Sequence, residues 1–409
     1  MKEVWKVEAR RVFKLASVWV SMVIIIALSI FLFCYGIHIQ KTVKIEGDTA
    51  YRVSGLEAVQ LRKEYDQALI GEVKEDELVK AIEIWQESYD TETDHINYTN
   101  EFLQYEPLAD MVGVTVLTMP SYNEGNIQNM MQIPAELTAN YYQYRTEKIS
   151  SLLNGIMKEG SRKQKADELN KNVITPFIYQ PNTYAWNSQI GYLPILTTAV
   201  LLLSVFFASS IFSEAYENGM DCLIRTSRYG DKHIVMIRLS LVAIVTFLLY
   251  LTGHVILLAG SALILGTDGL KASYQIANPY CLLNMTMGTA ALIQLVIGLL
   301  VCWCGALLTA AVSAASNKAV RTLAIAVLSF VFYTILWHFL SQPVPTIGTI
   351  LSFMPTYGLN VLDTLMDESC ILSVFGHPMF SFVVSSVATC FWIAIAPLLT
   401  EYFYRSHQR

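Results

Sequence analysis

Six stretches of this chain contain no Asp, Glu, Lys or Arg: residues 15–40, 172–213, 239–267, 272–317, 322–362 and 369–400. Together they occupy 216 of the 409 residues, so all 62 charged side chains crowd into the remainder. Soluble domains are about one-quarter charged throughout. A helix crosses a bilayer with about 20 apolar residues, and each run holds such a segment. The pattern predicts an all-α polytopic membrane protein with six transmembrane helices at 15–37, 190–212, 239–265, 289–313, 322–340 and 380–399. With 54% hydrophobic residues, disorder and a disulfide-stapled scaffold are excluded. A net charge of −6 argues against a nucleic-acid partner.

The first run is too long for a signal-peptide core and lacks a small-x-small cleavage site, so it reads as an uncleaved anchor. Bulky Leu32 and Phe33 before Cys34 disfavour a lipoprotein site. Lys and Arg in short flanks orient the spans. Lys2, Lys6, Arg10, Arg11 and Lys14 precede the first span, and Arg225, Arg228, Lys232 and Arg238 follow the second. Lys318 and Arg321 follow the fourth, and Arg405 and Arg409 end the chain. The two short loops on the opposite side carry Lys271 alone. Both termini are therefore expected in the cytoplasm of a bacterial cell, and residues 38–189 outside it.

That inserted segment holds 23 acidic and 14 basic residues and no cysteine. Leu78, Ala81, Ile82, Trp85 and Tyr89 share one helical face. Leu137, Tyr141, Ile149, Leu152, Leu153 and Ile156 mark a second helix that Gly160 ends. Ser161 and Gln164 match a capping box for a third. Residues 111–119 are the best strand candidate. A mostly helical extracytoplasmic domain is expected. Its last part, 175–192, is uncharged and aromatic. Tyr179, Tyr184 and Trp186 fit either an interfacial aromatic belt or a lip that touches substrate.

The chain lacks GxxxxGK[ST], GxGxxG, HExxH and GxSxG, so it carries no nucleotide-binding or hydrolytic signature of its own. Cys302 and Cys304 lack further ligands nearby for zinc and read as packing residues. Cys281 and Cys370 fall on the same side, as a disulfide or as two free thiols. Asn97-Tyr98-Thr99 matches a glycosylation sequon that a bacterial chain leaves unused. The spans hold no Asp or Glu, which disfavours an ion-coupled carrier. His254 and His338 are their ionisable groups, read as interhelical hydrogen-bonding residues or as polar points on a substrate path.

Two charged pieces stand out. Residues 1–14 form a basic amphipathic helix suited to the membrane interface, with Val4, Val7, Arg11 and Lys14 on one side. The loop 213–238 combines Glu214, Glu217, Arg225 and Arg228 with an apolar edge of Met220, Leu223 and Ile224. A solvated linker needs no such edge, whereas a helix docking into a partner's groove does.

This loop resembles the segment after the second span in permeases of the export-type ATP-binding-cassette superfamily. The matching residues are Phe212, Glu214, Gly219, Leu223, Ser227, Arg228, Gly230 and Arg238. Arg228 stands where the family often has Pro, and Asp231 where it often has Arg. The layout resembles one bacterial branch of the family with a large outer domain after the first span. The loop 341–379, free of Lys and Arg, would then form short re-entrant helices. The resemblance implies a transport subunit that pairs with a second permease chain, alike or different, amid membrane lipids. It implies cytoplasmic ATPase subunits that hold ATP and Mg, so this chain would bind no cofactor or metal. Its cargo would be an amphipathic peptide, lipid or drug-like molecule moved outward. A contrasting reading is a membrane sensor or immunity protein whose outer domain binds a peptide antibiotic without moving it.

Overall fold

The computed structural model describes residues 2–47, 49–93, 95–117, 130–226, 232–340, 345–366 and 368–406. The chain opens with α1 (Lys2–Lys14) and α2 (Ala16–His38). Ala9 and Val12 of α1 are buried, with Val4 and Phe13 packed beside them, so this face lies against the bundle. Val7, expected to share a side with Val4, is instead exposed.

An inserted domain follows. The antiparallel hairpin β1 (Lys41–Glu46) and β2 (Thr49–Ser54) pairs Lys41 with Ser54 and Glu46 with Thr49. Then come α3 (Leu56–Tyr65), β3 (Gly71–Glu72), α4 (Glu75–Ser88), β4 (Tyr89–Asp90), β5 (His95–Ile96) and α5 (Asn100–Leu117). The predicted apolar face of α4 is buried through Leu78, Ala81, Ile82 and Trp85. Thr99 of the sequon caps α5, its Oγ1 accepting from Phe102 N at 3.0 Å.

The strand expected at 111–119 is not formed. Residues 111–117 belong to α5, because Leu108, Met111, Val112 and Thr115 recur at helical spacing and are all buried; residues 118–119 lie outside the described residues.

The second predicted helix is split into α6 (Ala135–Thr138) and α7 (Tyr141–Ile156), and α8 (Ser161–Lys171) follows. The capping box at Ser161 is not made. Its hydroxyl donates at 2.7 Å to Gly376 O, far along the chain. The short β6 (Ile178–Tyr179) pairs with β3, matching Gly71 to Tyr179, and so ties the end of the domain to its beginning. Leu103, Tyr141, Phe177 and Tyr179 complete the domain's core.

The second span is assembled from α9 (Thr183–Gly191), α10 (Leu193–Ser209) and α11 (Ser213–Glu217). After α12 (Asp221–Thr226) come α13 (Lys232–Leu265), α14 (Met287–Ala315) and α15 (Ala319–Leu340). The stretch after α15 contains α16 (Pro345–Leu351), a 3₁₀ turn, α17 (Val361–Leu365) and a hairpin of β7 (Ile371–Val374) and β8 (His377–Phe380). Tyr357 and Leu359 of this stretch are buried against the spans. The hairpin was not anticipated. The last helix is α18 (Ser381–Ser406).

Helix dominates, and the strands form only two-stranded ribbons among the described residues. Six helices are long and apolar enough to cross a membrane, and they coincide with the six predicted spans. The fourth, α14, is the hub, packing against α10, α13 and α18, while α2 lies against α13. Small residues permit these close approaches. Ile25 of α2, for example, sits where a side chain on Gly253 would be. The fifth span, α15, is peripheral and buries only Thr322.

The inserted domain grips the connections at one end of the bundle. Arg145, 1% exposed, donates from Nε to Pro279 O at 2.7 Å and from Nη2 to Cys281 O at 2.8 Å. Arg162 Nε donates to Ile371 O at 2.7 Å. Cys281 and Cys370 are both buried and are not joined in a disulfide. Helix α1, the α11–α12 loop and the end of α18 meet at the other end, so both chain ends lie on one side of the bundle.

Candidate functional site

The loop between the second and third spans is two short helices joined at a left-handed glycine. Gly219 has φ +66°, a conformation that costs other residues a clash with their own Cβ. The root of the loop is pinned to the fourth span. Ser313 Oγ accepts from Phe212 N and Ser213 N, each at 3.1 Å, and donates to Ser209 O at 2.8 Å. Tyr216 OH donates to Ala314 O at 3.1 Å.

Glu217 reaches the fifth span. Its Oε1 accepts from Ala319 N at 2.8 Å, satisfying one of the free amides at the start of α15. Arg225 reaches the sixth. Its Nε donates to Asp221 Oδ2 at 2.6 Å, and its guanidinium stacks 4.2 Å from the Tyr404 ring centre. The Arg225 side chain is turned onto the protein's own helices and only 12% exposed.

The N-terminal helix adds a second set of ties. Glu8 of α1 pairs with Arg238 near the start of α13: Nη2 donates to Oε1 at 3.5 Å, and Nε lies 3.4 Å from Oε2. Arg11 lies 3.0 Å from Glu8 and 3.8 Å from Glu214. Burial and the neighbouring Arg238 lower the Arg11 guanidinium pKa, and the two glutamates oppose them. Arg238 is 1% exposed and lies over the Phe212 ring. Neither Glu8 nor Ser313 was singled out from the sequence, because their partners lie far away along the chain.

What remains free is the apolar tip. Met220 is 51% and Leu223 67% exposed. Ile224, expected beside them, is half-buried against the bundle and does not add to the exposed edge. Ser227, Arg228 and Gly230 lie outside the described residues.

The aromatic candidates are packed and hydrogen-bonded within the protein. Trp186 is fully buried and donates from Nε1 to Gly266 O at 2.9 Å. Tyr184 OH donates to Pro107 O at 2.9 Å, and Tyr179 is 1% exposed. These rings lock the domain onto the start of the second span, and Trp186 and Tyr179 present no face to solvent. His254 is also buried, with Nδ1 2.8 Å from Tyr250 O and Nε2 3.2 Å from Thr197 Oγ1. This is the interhelical hydrogen bond expected of it. Beside it an apolar groove of about 400 Å³ opens between α13 and α14. His338 lies exposed on α15, its ring edge-on to Phe339. The structure does not bring His254 and His338 together into one path.

Among the described residues, no group of His, Cys, Asp and Glu is placed to hold a metal ion. No family model matches this chain, and no curated protein is significantly similar to it.

Proposed function

We propose that this chain is the membrane subunit of an ATP-driven exporter, energised by separate cytoplasmic ATPase subunits that carry ATP and Mg. The observation that supports this reading best is the exposed apolar tip of Met220 and Leu223 on a loop tied to four helices. Force applied at that tip would reach α14 through Tyr216, α15 through Glu217, α18 through Arg225 and α1 through Glu214. A loop that merely connected two spans would need neither the ties nor the apolar exposure.

In this reading two permease chains assemble in the bacterial plasma membrane, with both termini cytoplasmic and the inserted domain outside. Closure of the ATPases pushes the tip, and an amphipathic peptide, lipid or drug-like molecule leaves outward. The apolar, carboxylate-free spans suit such cargo.

Leu223→Asp tests the reading in chain purified from its native membranes. Burying Leu223 in a partner's groove would contribute about 1.5–3 kcal/mol, and an unpaired aspartate there would be costly. The wild-type preparation is expected to contain a polypeptide with a GxxxxGK[ST] loop and to hydrolyse ATP. The variant is expected to keep its yield and lose both. Normal partner recovery and turnover by Leu223→Asp would overturn the reading. An ATPase-free wild-type preparation that binds a peptide antibiotic would favour a sensor or immunity protein.

A further inference from the structure

Helix α1 stops at Lys14, and α2, the first membrane span, starts at Ala16. Leu15 alone separates them, so the end of α1 lies at the level of the lipid headgroups on its side of the bilayer. A hydrogen bond fixes that level more closely. Trp19 is 59% exposed on a membrane span and is therefore turned to lipid. Its Nε1 donates at 2.9 Å to Phe13 O, in the last turn of α1. Tryptophan favours this boundary, and here its donor satisfies a carbonyl that a helix end leaves without a partner.

The two faces of α1 meet different surroundings. Glu8, Ala9 and Val12 are buried against the bundle. Glu3, Val7, Arg10 and Lys14 recur at helical spacing on the other side and are all exposed. Most charges of the helix are committed within the protein. Lys6 pairs with Glu3 at 2.9 Å, and Arg11 pairs with Glu8 at 3.0 Å. Arg10 and Lys14 have no hydrogen bond or ion pair among the described residues. As i and i+4 neighbours on a helix, their Cβ atoms stand about 5–6 Å apart, a gap that one phosphate group bridges.

The membrane side of the same corner is apolar. Trp19, Val23 and Ile30 form an exposed stripe down α2. That length of helix covers about 16 Å, close to half of the roughly 30 Å hydrocarbon core. Two uncompensated cations thus stand at headgroup depth above a stripe one leaflet long.

We propose that Arg10 and Lys14 hold the phosphate of one anionic phospholipid, whose acyl chains run along Trp19, Val23 and Ile30. The guanidinium presents forked N–H donors that match two phosphate oxygens, and the ammonium supplies a second positive charge. Each cation close to an anionic leaflet is drawn to it, and a zwitterionic headgroup offers no net charge in return. An acidic peptide could reach the cations but not the stripe within the bilayer. The inference requires only that α2 crosses a membrane, and it does not depend on the exporter reading.

Native mass spectrometry of the full chain released from detergent micelles tests the proposal. The chain is first incubated with equimolar phosphatidylglycerol and phosphatidylcholine of identical acyl chains. The wild type is expected to retain one phosphatidylglycerol at least five-fold more often than one phosphatidylcholine. Arg10→Gln combined with Lys14→Gln should retain the two lipids alike, whereas Arg10→Lys combined with Lys14→Arg should keep the preference. Inorganic phosphate in ten-fold excess should not displace the lipid. Equal retention by the wild type, or an unchanged preference in the glutamine pair, would overturn the proposal. Displacement by inorganic phosphate would also overturn it and identify a site for free anions. In lipid-free detergent the glutamine pair should melt with the wild type, because neither side chain has a partner within the protein. A lower midpoint would show that the two cations are engaged internally, which is incompatible with the proposed site.

Discussion

Glu8 and Arg238, 230 residues apart, form an ion pair between the N-terminal helix and the start of the third span, with 3.4 Å between Oε2 and Nε. Arg238 is almost completely enclosed. Such a pair contributes little net stability against an apolar replacement, but removing one partner leaves a buried charge alone and costs about 3–5 kcal/mol. Glu8→Ala is therefore expected to lower the thermal midpoint sharply and to release α1. Adding Arg238→Met should recover much of the loss. Thermal unfolding of the two variants in nanodiscs checks this, and a double variant no better than Glu8→Ala would refute the pairing.

The Glu217 carboxylate caps a helix to which it is not joined in sequence. Removing such a cap costs about 0.5–2 kcal/mol. Glu217→Ala should speed amide exchange in the first turn of α15, at residues 319–322, while Glu217→Gln keeps an acceptor and should stay close to wild type. Equal protection in both variants would show that the 2.8 Å contact carries no load.

The spans were readable because hydropathy in a bilayer is a strong, local signal: six charge-free runs became six helices. The face of α4 was readable for a similar reason, since Leu78, Ala81, Ile82 and Trp85 repeat at the helical period. Residues 111–117 misled because Val and Thr favour strands locally, yet their burial against α4 and Tyr141 selects a helix. Ser161 failed as a cap because Gly376 offered its hydroxyl a distant carbonyl.

At the candidate site, an exposed apolar residue such as Leu223 could be recognised from its charged surroundings. The inward turn of Arg225 could not, because Tyr404 is contributed by the far end of the chain.

Topology gives an independent prediction. Leu223 and the exposed Glu159 lie at opposite ends of the bundle. In a background lacking Cys34, Cys222 and Cys390, Glu159→Cys should react with a membrane-impermeant maleimide in intact cells. Leu223→Cys should react only after lysis. The reverse pattern would invert the orientation and remove the proposed cytoplasmic docking of the tip.

The last prediction concerns stability and pH. Asp110 in the folded protein titrates near 7, against an ordinary value of 3.8, because its surroundings and Glu106 disfavour its charge. Between these values the folded chain holds a proton that the unfolded chain has released. Stability from this group therefore falls as pH rises through that window, and the full penalty is present above about 7. Asp110 is exposed to solvent, which moderates the size of the effect without changing its sign. Other groups run the opposite way: Glu46 and Asp90 are lowered by hydrogen bonds and lose their contribution only in acid. Comparing Asp110→Asn with the wild type isolates the term. At pH 5.5 the protonated acid resembles the amide, and the two should melt together. At pH 8 the variant should melt higher, since it lacks the unpaired charge. A difference that is constant across this range, or a variant that is less stable at pH 8, would place Asp110 in contact with a cation of the protein's own, and Lys41, which lines the same small cavity, is the candidate.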